Sequence, residues 1–218
     1  MINRRLTLRP LRSLIRNSEA VSVLEFALVL PVFMTLGMYG AEIAWLNAAA
    51  LEVSQVAVSM ADNASRMGQT DNSGVTPTIS DADVDSVLAG ALEEGSTVAL
   101  EENGRVILSS LEAHPVTGKQ RVHWQQCKGK STKKSTHGKP DDTGLLPSVL
   151  NGLVLGGKTI TAPSGSAVMI AEVWYEYNGL FGTLFVDNIV IHEEAAVIAR
   201  DDRSISSGLV GSGKKNDC

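Results

Sequence analysis

The chain has 218 residues, of which 44% are hydrophobic and 20% are charged, and its net charge at pH 7 is −5. This composition excludes a wholly disordered chain, a collagen-like chain and a small protein held together by many disulfides. Only one stretch is long and apolar enough to cross a bilayer, which excludes a polytopic membrane protein. The acidic balance argues against a protein that coats nucleic acid, so we expect no nucleic-acid partner.

The charge is distributed unevenly along the chain. Residues 1–17 contain five arginines and no acidic residue, whereas the other 14 basic and 24 acidic residues leave a charge of −10. An uncharged apolar run follows at residues 26–41, between Glu25 and Glu42. If the run is helical, Glu25 and Glu42 are about 25 Å apart along its axis, which is close to the thickness of the hydrocarbon core. The pattern predicts contact with membrane lipid through one transmembrane helix, with a cytoplasmic N-terminus and the remaining chain outside the cytoplasm.

The same helix is expected to continue beyond the membrane. Leu46, Val53, Met60 and Met67 recur every seven residues, with alanine and valine between them, and Gly68 ends the pattern. Such a repeat forms an apolar stripe along a helix. The stripe can pack on the helix's own domain or on neighbouring subunits. Both can hold at different positions along the helix.

The start of the apolar run has a characteristic arrangement. Residues 18–31 read SEAVSVLEFALVLP, in which four residues separate the small Ala20 from Glu25-Phe26, and Pro31 follows early in the helix. This segment resembles the start of the TadE/TadG-like family, the pilin-like proteins of the tight-adherence (Tad, type IVb) pilus system. The family usually has glycine where this chain has Ala20. The match covers about 50 N-terminal residues.

The resemblance implies that a prepilin peptidase cleaves between Ala20 and Val21 on the cytoplasmic side. Glu25 would then neutralise the new Val21 ammonium group of a neighbouring subunit, and Glu25, Phe26 and Pro31 would serve assembly. The implied location is the inner membrane of a bacterium, with a periplasmic C-terminal domain that can enter an extracellular pilus. Other pilin-like subunits and the Tad assembly machinery would be the partners. By itself, a carboxylate at the edge of an apolar helix is costly and usually has a partner, and the alternative is that Glu25 lies among lipid headgroups.

The predicted fold class is α+β, a long N-terminal transmembrane helix that extends into a small antiparallel-sheet domain with one short helix. The short helix begins at Ser80, which forms a capping-box-like pair with Asp83, and it ends at Gly95. The Asn103-Gly104 doublet predicts a hairpin between the first two strands. The predicted strands cover residues 97–100, 105–111, 120–127, 167–177 and 183–199. The domain boundaries follow as a leader at 1–20, the long helix at 21–68, a linker at 69–80 and the α+β domain at 81–218.

Residues 128–142 form a lysine-rich loop without large apolar side chains. Its charge suggests either a solvated loop or a surface that binds polyanions or an acidic partner. Cys127, at the edge of this loop, and Cys218 are the only cysteines. Outside the cytoplasm two cysteines usually pair, so we expect a disulfide between them, with free thiols or an inter-chain bond as the alternatives.

Catalytic and cofactor signals are weak. Residues 152–159 read GLVLGGKT and match a phosphate-binding loop by letter, but Pro163 follows too soon for the helix that such a loop needs. The four histidines show no metal-ligand spacing with one another or with the cysteines. We therefore expect no enzyme, no bound nucleotide, no cofactor and no metal.

The function favoured by these observations is that of a minor pilin-like structural component of a Tad-type pilus assembly system. One alternative is an unprocessed membrane-anchored domain that binds a ligand or acts as a scaffold in the envelope. Another is a secretory signal that is cut near residues 48–50 and releases a soluble domain, although the leader's length and charge disfavour it.

Overall fold

The computed structural model describes residues 18–68, 76–140, 151–206, 208–211 and 218, with the backbone alone at 18–20. Residues 1–17 of the predicted leader, 69–75 of the predicted linker and 141–142 of the lysine-rich loop therefore lie outside the described residues. The described chain is an α+β protein with a long N-terminal helix and an antiparallel sheet, as the sequence predicted.

Helix α1, Ser18–Ala64, has 47 residues and is about 70 Å long. Pro31 lies inside it without ending it, and Thr35 Oγ1 donates a hydrogen bond to the Pro31 carbonyl oxygen at 2.8 Å. Helix α2, Asp81–Glu94, confirms the predicted short helix. The predicted capping box is present, because the Ser80 and Asp83 side chains each accept the other residue's backbone N–H.

The main sheet has four antiparallel strands in the order β3-β2-β6-β7. A two-residue parallel pair, β1 with β8, and a hairpin, β4 with β5, complete the strands. The bounds are β1 Ile79–Ser80, β2 Gly104–Ala113, β3 Gln120–Lys128, β4 Leu153–Leu155, β5 Lys158–Ile160, β6 Ala167–Glu176, β7 Val190–Ile198 and β8 Leu209–Val210.

The predicted hairpin at Asn103-Gly104 is wrong. A 3₁₀ turn at Gly95–Val98 and a single helical turn, α3, at Leu100–Asn103 replace the predicted first strand. The reason is packing, because Leu100 is completely buried and lies against Gly104, where an added Cβ would approach a Leu100 methyl carbon to 2.5 Å. Gly104 therefore serves close packing of Leu100 and not a turn between strands.

The predicted fifth strand is also too long, since β7 begins at Val190 and not at residue 183. The preceding residues form a loop of turns that contacts helix α1. The predicted third and fourth strands are confirmed by β3 and β6, within one residue at each end.

The C-terminal half of α1 packs on the inner face of the sheet. Val53, Val56 and Met60 of the helix are buried with Met169 and Val173 of β6 in the main core. The outer face of the sheet is covered at one end by the β4–β5 hairpin, over a second and smaller core. The predicted heptad stripe thus packs on the helix's own domain along this half.

Candidate functional site

The N-terminal half of α1 is apolar on every side and is not covered by the rest of the described chain. One 18-residue window of this helix is long and apolar enough to cross a membrane, by length and composition, and none of it is buried. A helix that is apolar all round needs an apolar environment, either lipid or other helices. The exposed large side chains are Val21, Val23, Leu24, Phe26, Leu28, Val29, Leu30, Val32, Phe33, Met34, Leu36 and Tyr39.

The residues that the resemblance assigns to processing and assembly all lie at the start of this exposed segment. The Ala20–Val21 peptide bond is within the helix, and Val21, Glu25 and Phe26 are exposed. Val21 and Glu25 are one helical turn apart, a rise of about 6 Å. Within the described part of the chain, the Glu25 carboxylate has no ion-pair partner.

Glu42 anchors the helix to the domain. Its carboxylate is completely buried and accepts hydrogen bonds from Tyr177 Oη at 2.7 Å and from the backbone N–H groups of Leu180 and Phe181, both at 3.1 Å. Burial, followed by the hydrogen bond and charge of Glu42, raises the pKa of Tyr177. In the sequence, Glu42 marks only the end of the apolar run, because its partners lie about 135 residues away.

The loop between β6 and β7, residues 178–189, places apolar side chains beside the same part of the helix. Leu180 and Leu184 are 54% and 66% exposed. Phe185 packs edge-to-face against Tyr39 of α1, with ring centroids 5.8 Å apart, and against Phe181 at 6.0 Å. The apolar surface of the helix therefore continues onto this loop, part of which the sequence predicts as a strand.

The far end of α1 is held by the segment that follows β7. Arg203 donates a hydrogen bond to the Ala64 carbonyl oxygen at 2.8 Å and forms a buried ion pair with Asp201. Asp201 in turn accepts the backbone N–H of Gly68 at 2.6 Å. Because both ends of its buried half are fixed, α1 is rigidly joined to the sheet over about 20 residues from Glu42, a length of about 30 Å.

The predicted disulfide between Cys127 and Cys218 is present, with a Cα–Cα distance of 6.0 Å. It joins β3 to the C-terminal residue across 91 positions of the sequence. The Cys218 carbonyl oxygen accepts the backbone N–H of Ser135, at 3.0 Å, so the disulfide also holds the lysine-rich loop.

Residues 129–140 of the lysine-rich segment form a loop, as predicted, but one part of it is packed on the outer face of the sheet. His137 is buried, and Ser135 and Thr136 donate hydrogen bonds to the carboxylate of Glu172 in β6. The outer face of β6 therefore contains a completely buried glutamate.

Three side chains in this region are able to hold a metal ion. Ligand atoms of His137, Glu172 and Glu194 lie within 4.8 Å of one another. Sequence spacing gave no sign of this group, because its members come from a loop and two strands. Only the pairing of β6 with β7, which places Glu172 opposite Glu194, brings the two carboxylates together.

The segment that matches a phosphate-binding loop by letter forms the β4–β5 hairpin. Gly156 and Gly157 make its turn, with φ angles of 52° and 78°. No helix begins between residues 151 and 166, so this part of the described chain offers no helix N-terminus to a phosphate.

Comparisons with protein-family models, with curated proteins and with solved structures found no match for this chain.

Proposed function

We propose that this protein is a minor pilin-like structural component of a Tad-type pilus assembly system, anchored in the bacterial inner membrane by α1. Its role is structural and it performs no catalysis. The observation that carries the proposal is the division of α1 into two halves. One half is packed on the sheet, and the other exposes a long apolar surface, most of which follows Glu25.

Residues 26–41 cross the hydrocarbon core, and the domain begins where they end. The loop with Leu180 and Leu184 lies beside Tyr39, at the level where the apolar run stops. Tyr39 and Phe185 both lie at this level, and aromatic side chains, tyrosine above all, are typical of the membrane–water interface. This arrangement supports a domain that rests on the outer surface of the membrane with its apolar loop against the lipid.

Glu25 is the residue through which subunits recognise one another. After the peptidase has cut between Ala20 and Val21, each helix begins with an ammonium group one turn before its own Glu25. In a bundle of such helices, an ammonium group and a carboxylate from neighbouring subunits neutralise each other. The gain in free energy is largely offset by desolvation, so the pair mainly sets the stagger of the helices.

The runner-up is a membrane-anchored binding or scaffold domain that keeps its leader and acts without assembly. The exposed apolar helix also fits that role, but the spacing of Ala20 from Glu25-Phe26 favours the pilin-like component, and the identity of the mature N-terminus separates the two. A soluble domain released by a cut near residues 48–50 is disfavoured, because Ala49 belongs to the core and Glu42 would be removed from Tyr177.

The test replaces Glu25 with alanine in the native host. We expect Glu25→Ala to insert in the membrane at the normal level, to be cut before Val21, and to abolish co-assembly with other pilin-like subunits. Membrane fractionation, N-terminal sequencing of the mature protein and cross-linking to other subunits provide the three measurements.

The matched control is Glu93→Ala, which removes an exposed carboxylate from α2 and should leave assembly unchanged. Normal pili in the Glu25→Ala strain would contradict the role of Glu25. A mature protein that begins at Met1 while pili form normally would contradict the whole proposal in favour of the runner-up.

A further inference from the structure

Four side chains that bind metals in many proteins converge on the outer face of the sheet. Glu172 is in β6. His192 and Glu194 are two residues apart in β7, so their side chains lie on the same face of the sheet as Glu172. His137 reaches the group from the lysine-rich loop, which crosses this face of the sheet. The group lies on the side of the sheet opposite α1, so it is separate from the membrane-facing surface.

Ligand atoms of three of these side chains, His137, Glu172 and Glu194, all lie within 4.8 Å of one another, which suits a single small cation, and His192 lies beside the two carboxylates. His137 Nε2 is 2.8 Å from Glu194 Oε1 and 3.9 Å from Glu172 Oε1. His192 Nε2 is 3.6 Å from Glu194 Oε1 and 3.8 Å from Glu172 Oε1. In a tetrahedral zinc site with bonds of about 2.0–2.1 Å, neighbouring ligand atoms are about 3.3–3.4 Å apart. The observed distances lie on both sides of that value.

His192 supplies an independent observation. Among the residues that the structure describes, its Nε2 atom is one of a few buried polar side-chain atoms without a hydrogen-bond partner. The ring is stacked on Trp174, the residue opposite it in β6, with centroids 3.7 Å apart and an angle of 12° between the planes. A buried nitrogen that is held in place by stacking, and that faces two carboxylate oxygens beyond hydrogen-bond distance, is suited to a metal bond.

The electrostatics also favour a cation. Glu172 is completely buried, and Glu194 is its direct cross-strand partner, so two carboxylates face each other at short range. Like charges in directly opposed positions destabilise a sheet, and a bound dication removes this repulsion. Thr136 Oγ1 donates a hydrogen bond to one or other carboxylate, at 2.8 Å from Glu172 Oε1 and 3.0 Å from Glu194 Oε1. Such outer contacts are what orients carboxylate ligands in metal sites.

We propose that His137, Glu172 and Glu194 bind one Zn²⁺ ion and that His192, which lies beside the two carboxylates, moves in as the fourth ligand when the ion binds. Neutral imidazole nitrogen suits zinc and its transition-metal neighbours, whereas Ca²⁺ and Mg²⁺ prefer sites made of oxygen alone. With four protein ligands and no open position, the site is structural. It clamps residues 131–138 of the lysine-rich loop onto the sheet, beside the Cys127–Cys218 disulfide.

The test uses the full-length chain in detergent micelles, without a polyhistidine tag and with its disulfide intact. Equilibrium dialysis against ZnCl₂, with metal measured by mass spectrometry, should give one Zn²⁺ per chain. Replacing an outer contact of a metal site typically costs 10–100-fold in affinity. We therefore expect a loss of at least about 100-fold in His137→Gln and in His192→Gln, in which a ligand itself is replaced.

The matched control is His123→Gln, because His123 also pairs with a buried carboxylate, Glu112, at 2.7 Å but lies outside the group. This variant should bind zinc as the wild type does. Zinc binding that is absent from the wild type, that is lost equally in His123→Gln, or that is displaced by millimolar Mg²⁺ or Ca²⁺ would overturn the proposal.

X-ray absorption spectroscopy of the zinc-loaded wild type provides a second test that does not depend on any variant. The expected spectrum has four nitrogen and oxygen ligands, with the multiple-scattering signature of imidazole. A spectrum without imidazole, or with sulfur, would place the ion elsewhere and overturn the assignment.

Discussion

At the scale of single residues, the buried carboxylates do most to join distant parts of the chain. Glu42 connects the helix to the loop after β6, and Glu172 connects β6 to the lysine-rich loop. In a sequence each is one of many acidic residues, and a surface position is the usual expectation for such a residue. Each is buried here because backbone N–H and hydroxyl groups from remote segments supply the hydrogen bonds that a buried charge requires.

Tyr177→Phe tests the contribution of the Glu42 contact. The variant leaves the buried Glu42 carboxylate without its side-chain donor, so we expect the thermal unfolding midpoint near pH 7 to fall by about 3–10 °C. Calorimetry of the full-length chain in detergent gives the midpoint. Tyr39→Phe, which removes a hydroxyl from an exposed ring of α1, is the control and should change the midpoint little.

The same pair of variants gives a pH dependence. Burial and the Glu42 carboxylate raise the pKa of Tyr177 above the ordinary value of 10.0, so the fold favours the neutral phenol. Its contribution to stability is complete below pH 10.0 and is lost as the pH rises above that value. Between about pH 9 and pH 11 the midpoint should therefore fall less in Tyr177→Phe than in Tyr39→Phe. An equal fall in both variants would show that Tyr177 does not titrate in this way.

At the scale of elements, the loop at residues 178–189 is the one whose role changes most between sequence and structure. Part of it, from residue 183 onward, is predicted from the sequence as the start of the fifth strand. Glu42 instead binds the backbone of Leu180 and Phe181, which bends this segment against α1 and turns Leu184 outward. The apolar loop and the neighbouring apolar helix form one continuous apolar surface. Large exposed surfaces of this kind mark contact with lipid or protein.

A fluorophore at residue 184 tests whether this loop touches the membrane. An environment-sensitive label on Leu184→Cys, in the full-length chain in lipid vesicles, should be quenched strongly by nitroxide-labelled lipid. A label on Val116→Cys is the control, because Val116 is 86% exposed in the β2–β3 turn, at the other end of the sheet. Since β2 has 10 residues, about 30 Å separates the two levels. Equal quenching at both positions would contradict contact between the loop and the lipid.

At the scale of the whole molecule, one helix belongs to two environments. Its C-terminal half is part of the core, as the sheet is. Its N-terminal half makes little contact with the described domain before Tyr39 in the sequence. The boundary is sharp, because Glu42 and Tyr39 are held by the domain and the residues before Gly37 are exposed. This division predicts where the chain can be cut without loss of the fold.

Two truncated chains test the division. A chain of residues 38–218 should be soluble without detergent, because it lacks the exposed apolar half of α1. A chain of residues 51–218 should unfold at least about 10 °C lower, since it lacks Glu42, the buried Ala49 and the partly buried Trp45 and Leu46. Size-exclusion chromatography and thermal unfolding measure both. Aggregation of the longer fragment, or equal midpoints for the two, would contradict the division.

Much of the architecture was predictable from local patterns. The sequence predicts the long helix, the capped helix α2 and strands β3 and β6, because hydrophobic periodicity and capping residues act over short distances. It also predicts the Cys127–Cys218 disulfide, because two cysteines allow only one pairing within the chain. The Asn103-Gly104 hairpin failed because Leu100 gains more from complete burial against Gly104 than the doublet gains from a turn. The prediction that the fifth strand begins at residue 183 failed because the loop before β7 forms hydrogen bonds with the distant Glu42.

The sequence by itself determined that the chain has one helix apolar enough to cross a membrane, with a charged boundary at each end. Hydropathy and helical rise are properties of consecutive residues, so no fold is needed to recognise them. The tertiary structure alone decided which carboxylates are buried and with what partners. Glu42 meets Tyr177 through the packing of α1 on the sheet, and Glu172 meets Glu194 through the pairing of β6 with β7 and His137 through the packing of the lysine-rich loop on the sheet.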